Sequence, residues 1–177
     1  KQSVPVSSWL FVLGVCDFAV QYVDRFDGKS IQTWVYSKDR EAGFYDFASP
    51  TKQVLEFYSA YVGPFAYEKM ASIQTPSVNG GMETSSAIFY GQDLINGKRD
   101  VRLRNVVIHE LAHQWFGNAV TESTWDDAWL SEGFATWLST KIMDQEFPPA
   151  SKNLAAITNR ERIMAMDAST KTRPVRV

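Results

Sequence analysis

The stretch Val106-Val107-Ile108-His109-Glu110-Leu111-Ala112-His113-Gln114-Trp115-Phe116 decides how the rest of the chain is read. Its apolar residues recur at helical spacing, which predicts a helix over 102–117. His109 and His113 are one turn apart and project from the same face. Two neutral imidazoles at that spacing can share one zinc ion, leaving Glu110 to reach a water on the metal. These are the only two histidines in the chain, and both fall inside one five-residue pattern.

A catalytic zinc needs a third protein ligand and an open position. Thr124-Trp125-Asp126-Asp127 reads as a capping box, with Thr124 at the N-cap, opening a helix predicted over 126–145. That helix carries Glu132, with 18 residues between it and His113. Ala128, Ala135 and Ser139 share its stripe, and Trp129, Phe134, Trp137 and Leu138 cover much of the remaining circumference. A glutamate in such surroundings needs a cation. Zinc is one candidate; a lysine or arginine is the other.

Upstream, 9–16, 18–23 and 31–36 alternate as strands do, with Asp27-Gly28 as a turn. Ser49-Pro50 reads as an N-cap with proline in the first helical turn, opening a helix that ends at Gly63-Pro64. Short strands are predicted over 70–74 and 86–90, on either side of Val78-Asn79-Gly80-Gly81, and a last helix over 150–165. Strands first and helices second predict an α+β layout, not a βαβ repeat.

The 177 residues are 45% hydrophobic and 21% charged, which suits one folded domain and excludes a disordered chain. A net charge of -2 offers no basic footprint for nucleic acid. No apolar run is long enough for a membrane span, so a soluble protein is expected. Cys16 has no cysteine to pair with and, inside an apolar run, reads as a small buried hydrophobe. Ile163, Met164 and Met166 read as helix core filler, Phe44, Tyr45 and Phe47 as packing, and Arg102, Arg104, Glu161 and Arg162 as solvated. Lys1 begins no signal peptide and 171–177 reads as mid-loop, so the chain is expected to be part of something longer, its location unknown.

H-E-x-x-H followed after 18 residues by Glu within Trp129-Leu130-Ser131-Glu132-Gly133-Phe134-Ala135 resembles the glutamate-zincin metallopeptidases. More narrowly, the chain resembles the aminopeptidase N and leukotriene hydrolase family. Trp115-Phe116-Gly117-Asn118-Ala119-Val120-Thr121 is similar to the segment after that family's second histidine, and Gly80-Gly81-Met82-Glu83 to its exopeptidase motif. Val62-Gly63-Pro64-Phe65-Ala66-Tyr67 is similar to the stretch preceding that motif. The resemblance implies a thermolysin-like catalytic domain over 21–177, incomplete at its C-terminal end, with 1–20 ending a β-rich N-terminal domain. It also implies His109, His113 and Glu132 as zinc ligands and a peptide with a free N-terminus as substrate.

Two positions depart from the family. Thr84 stands where Asn is usual, which bears on substrate preference. All seven tyrosines precede His109, whereas the family places a catalytic tyrosine after the zinc glutamate. The reaction implied is attack of a zinc-activated water on a peptide carbonyl, with Glu110 as general base. Glu83 would pair with the substrate's α-ammonium, and Gly80 and Gly81 would admit its backbone, unless they form a plain turn. The strand at 86–90 would add the peptide as a further strand. Without an oxyanion donor after Glu132, weak catalysis is expected of this chain alone. An endopeptidase of thermolysin type and a zinc-holding module without catalysis are the alternatives.

Overall fold

The computed structural model describes residues 3–145 and 149–168. They divide into two compact units, Lys1–Ser139 and Thr140–Val177. In the first, β1 (Phe18–Phe26), β2 (Lys29–Tyr36), β3 (Lys69–Thr75), β4 (Gly81–Met82) and β5 (Ala87–Gly91) form one sheet in the order β1-β2-β3-β5-β4. The outer pairs are antiparallel, whereas β2–β3 and β3–β5 are parallel. Helices α1 (Arg40–Tyr61), α2 (Val101–Ala112) and α3 (Ala128–Met143) complete the mixed α+β arrangement. The predicted absence of a βαβ repeat holds only in part. Parallel neighbours need a crossover, and α1 supplies one between β2 and β3.

Helix α1 starts at Arg40, ten residues before Pro50, so the predicted start at Ser49-Pro50 is wrong. Gly43, Asp46, Phe47, Pro50, Thr51, Val54, Leu55 and Tyr58 are all buried, at successive spacings of three, one, three, one, three, one and three. That stripe continues through the proline. Its burial against the sheet outweighs a local loss of about 3 kcal/mol. Asp46 serves the next connection: its carboxylate accepts the backbone N–H groups of Asn96, Gly97 and Arg99 at 2.9 Å each. Those residues lead into α2, whose N-cap Asp100 accepts the Arg102 N–H.

Other expectations are corrected. Residues 11–16 lie outside every strand, with Leu13 and Val15 86% and 87% exposed, because among the described residues no strand pairs with them. Cys16 in that segment is exposed, not buried. Helix α2 stops at Ala112, five residues before its predicted end, because Gly117 turns the chain with φ 115°. Thr124 makes no side-chain bond to a backbone N–H; its hydroxyl donates to the Asp127 carboxylate at 3.0 Å instead. Phe47 packs on Tyr90, while Phe44 and Tyr45 are exposed. In the second unit, α4 (Pro149–Asp167) leaves Ile163, Met164 and Met166 exposed instead of core.

Gly43 lies where α1 crosses β2, and a Cβ there would overlap both methyls of the buried Val35. Gly43→Ala gains about 1 kcal/mol of helix propensity but overpacks the contact by about 1–3 kcal/mol. Net destabilisation is expected in urea melts, with recovery in the Gly43→Ala/Val35→Ala double variant.

Candidate active site

Helix α2 is pinned before it presents any chemistry. Leu103, Val107, Ile108 and Leu111 are buried on one stripe. The Tyr58 hydroxyl donates to the Ile108 carbonyl at 3.1 Å, and the Trp115 indole N–H to the Gly63 carbonyl at 2.8 Å. Burial pushes the Tyr58 phenol well above its ordinary pKa, so it remains a donor. His113 follows the last helical residue but keeps helical dihedrals, φ -59° and ψ -23°. Both imidazoles therefore remain on one face.

The three predicted ligands converge. His109 Nε2 and His113 Nε2 are 3.1 Å apart, and Glu132 Oε2 lies 3.2 Å from the first and 3.6 Å from the second. A tetrahedral zinc with bonds of about 2.0–2.1 Å separates its donors by about 3.4 Å, close to this triangle. One further observation supports the fit. His113 Nδ1 lies 3.1 Å from the Phe116 carbonyl, an acceptor only, so Nδ1 carries a hydrogen, and in the neutral ring Nε2 is then the nitrogen free to ligate a metal. A cation among three such acceptors converts their repulsion into attraction. The residues fit zinc.

Glu132 corrects one expectation about its surroundings. Its side chain is 62% exposed, because α3 buries Ser131, Ala135, Leu138 and Ser139 and leaves Trp129, Phe134 and Trp137 exposed. The hydrogen bond from His109 and then that from His113 hold its carboxyl well below the usual carboxylate range. Burial lowers the pKa of His113, but Glu132, Glu83 and Glu110 together raise it on balance.

Glu110 is buried against the sheet edge. Desolvation, opposed by His113 and reinforced by Glu83, pushes its carboxyl up to about 7. A Cβ on Gly81 would overlap the Glu110 side chain. Gly81 is thus needed for Glu110, in addition to any substrate passing nearby. Gly80 has open space where a Cβ would be.

Met82 is half-buried beside Phe89, its partner in the β4–β5 pair. Glu83, also half-buried, is close enough for its charge to act on both Glu110 and His113. Thr84 turns inward, 2% exposed, and its hydroxyl donates to the Ala87 carbonyl. The predicted peptide-adding strand is misplaced. β5 is enclosed between β3 and β4, and the free edge belongs to β4.

Several contributors escaped the sequence reading. Ser131 Oγ lies 3.0 Å from His113 Nδ1, joining the Phe116 carbonyl in orienting that ring. Gly117 makes room for this contact, since a Cβ there would overlap Ser131 Oγ and approach His113 Nδ1 to 3.1 Å. Gln114 and Asn118, each 1% exposed, both donate to the Glu83 carbonyl. The available signal was two amides four residues apart in an otherwise apolar segment.

The model of the "Peptidase family M1 domain" matches residues 47–177, which defines the class as a metallopeptidase. Aminopeptidase N of Homo sapiens is 31% identical over 96% of this chain and 19% of its own length. The probable aminopeptidase 1 of Saccharolobus solfataricus is 34% identical over 84% of the chain and 20% of its own. Glutamyl aminopeptidase of Rattus norvegicus is 34% identical over 77% and 15%. The chain therefore spans about a fifth or less of the length of these relatives. It belongs to peptidase family M1, the aminopeptidase N family.

Gly117→Ala tests how His113 is held. The substitution places a Cβ at positive φ and between Ser131 and His113. Zinc affinity, measured by competition with a chromophoric chelator, is expected to fall about 10- to 100-fold.

Proposed function

We propose that this chain carries the zinc-binding and substrate-amine-binding parts of an aminopeptidase, which removes N-terminal residues from peptides. The observation that supports this best is the convergence of His109, His113 and Glu132, with Glu110 buried beside them and Glu83 within electrostatic reach. His109, His113 and Glu132 would hold the metal. Zinc, when bound, supplies Lewis-acid polarisation of a carbonyl and lowers the pKa of water.

The remaining steps belong to the chain's own groups. Glu110 takes the proton of the attacking water and passes it to the leaving amine, as a base poised near neutrality does. Glu83 holds the substrate's α-ammonium by a charge-assisted hydrogen bond, which fixes cleavage one residue from the end. The free edge of β4 accepts the substrate backbone, and Gly80 leaves that approach open. No tyrosine or histidine follows Glu132 within these 177 residues to donate to the oxyanion. The 177-residue chain alone is therefore expected to turn over slowly, by about 100- to 1,000-fold for one missing donor. On the family resemblance, residues 1–20 are assigned to the end of a preceding β-rich domain and 21–177 to the thermolysin-like catalytic part, although β1 (Phe18–Phe26) runs across that boundary. Among the described residues, no helix is long and apolar enough to cross a membrane.

One zinc per chain is expected by metal analysis, lost in His113→Ala and retained in Cys16→Ala. Zinc missing from the unmodified chain after dialysis against zinc would refute the ligand assignment. Glu83→Ala should keep its zinc but lower kcat/KM for free-amine anilides about 10- to 100-fold. Full activity in that variant would favour an endopeptidase. Activity surviving Glu110→Gln would favour a binding module.

A further inference from the structure

Residues 83–87 are held by more contacts than a turn between two short strands needs. Ser86 has φ 61°, a left-handed conformation unfavourable for a residue with a side chain. Its backbone N–H donates to Gln114 Oε1 at 2.9 Å, and its carbonyl accepts from the Ala71 N–H at 3.0 Å and the Lys69 ammonium at 3.1 Å. Three residues earlier, the Glu83 carbonyl accepts two side-chain amides, Gln114 Nε2 at 3.1 Å and Asn118 Nδ2 at 2.6 Å. Gln114 thus uses both ends of its amide on this one turn.

The orientation of these amides is fixed by chemistry. A carbonyl oxygen only accepts, so both nitrogens must face Glu83. This orientation leaves Asn118 Oδ1 without a hydrogen-bond partner among the described residues. Gln114 follows directly on the ligand His113. The turn bearing Glu83 is therefore tied to the same short segment that presents the imidazole pair.

We infer that Gln114, assisted by Asn118, is a positioning residue for substrate-amine recognition: by gripping the Glu83 carbonyl and the Ser86 N–H, it fixes the Glu83 carboxylate relative to the metal ligands. This rests on the assignment of Glu83 to the substrate ammonium. Gln114 touches neither metal nor substrate; it acts through Glu83. The consequence is specificity. Loosening the turn leaves the metal ligands intact but lets the carboxylate drift from the amine, and one misplaced ångström is costly in a charge-assisted contact.

The test measures amine recognition directly on the zinc-loaded protein. Leucine hydroxamate and its N-acetyl form share the metal-binding hydroxamate, so the ratio of their Kd values by calorimetry reports the amine contact. The unmodified protein should favour the free amine about 10- to 100-fold. Gln114→Met should cut that ratio at least fivefold while retaining one zinc per chain. Glu83→Ala should abolish it, and adding Gln114→Met to Glu83→Ala should change it less than twofold, because both act through one contact. A merely structural role would lower both affinities together and add to Glu83→Ala. Should Gln114→Met not fold, Gln114→Glu, which keeps an acceptor for Ser86 but loses the donor to Glu83, carries the same expectation.

An unchanged ratio in the Gln114 variant, with Glu83→Ala losing it, overturns this inference alone. Loss of zinc in the Gln114 variant overturns it too, since the clamp would then serve the metal ligands. An unchanged ratio in Glu83→Ala overturns the amine assignment itself, and the inference with it.

Discussion

Three carboxylates and two imidazoles crowd one small region, and their mutual repulsion is the constraint that the rest of the site answers. Glu83 and Glu132 both raise the pKa of Glu110, and the Nε2 atoms of His109 and His113 meet at 3.1 Å with the Glu132 carboxylate beside them. Left to relax, such a group would splay into water, where each charge is better solvated. The scaffold prevents this by holding backbone and rings from behind. The Phe116 carbonyl and Ser131 hydroxyl hold one imidazole, and Gly81 admits the Glu110 side chain against the sheet edge. A cation is the group that such prearranged repulsion suits.

Rigidity and openness are divided between elements. Helix α2 is fixed by its apolar stripe, by Tyr58 on the Ile108 carbonyl and by Trp115 on Gly63. Both imidazoles are carried on that fixed segment, and His113 is 1% exposed. Glu132 approaches from the solvent side, and β4 leaves a sheet edge unpaired. The proposed peptide site needs both properties. Ligands that moved would lose their register, whereas an enclosed strand edge would admit no backbone. The dispensable half of this economy is visible in Thr84, whose hydroxyl closes its own turn instead of facing outward.

The glycines show how differently one residue type can serve. Gly43 permits close helix–strand approach, Gly81 gives space to the buried Glu110 side chain, and Gly117 combines a left-handed turn with space for the Ser131–His113 contact. Chain order offers no means of telling these apart. Each depends on what lies opposite, and the partners of Gly81 and Gly117 are 29 and 14 residues away.

Local periodicity was enough to place His109, Glu110 and His113, because helical spacing depends only on neighbouring residues. β1, β2, β3, β5 and the turn at Asp27-Gly28 were legible for the same reason, whereas the two-residue β4, within a stretch read as a turn, was not. Glu132 was legible as a partner through its spacing, but its exposure was not, since that depends on which face of α3 finds a neighbour. Proline at 50 looked like a helix start because local rules place it there; the buried stripe on both sides decided otherwise. Likewise 9–16 had strand composition without a strand to pair with. The grip of Gln114 and Asn118 on Glu83 joins segments more than 30 residues apart. The sequence alone determined which metal-ligating groups come together; only tertiary packing decided what holds them, because hydrogen bonds and close contacts between distant segments leave no period along the chain.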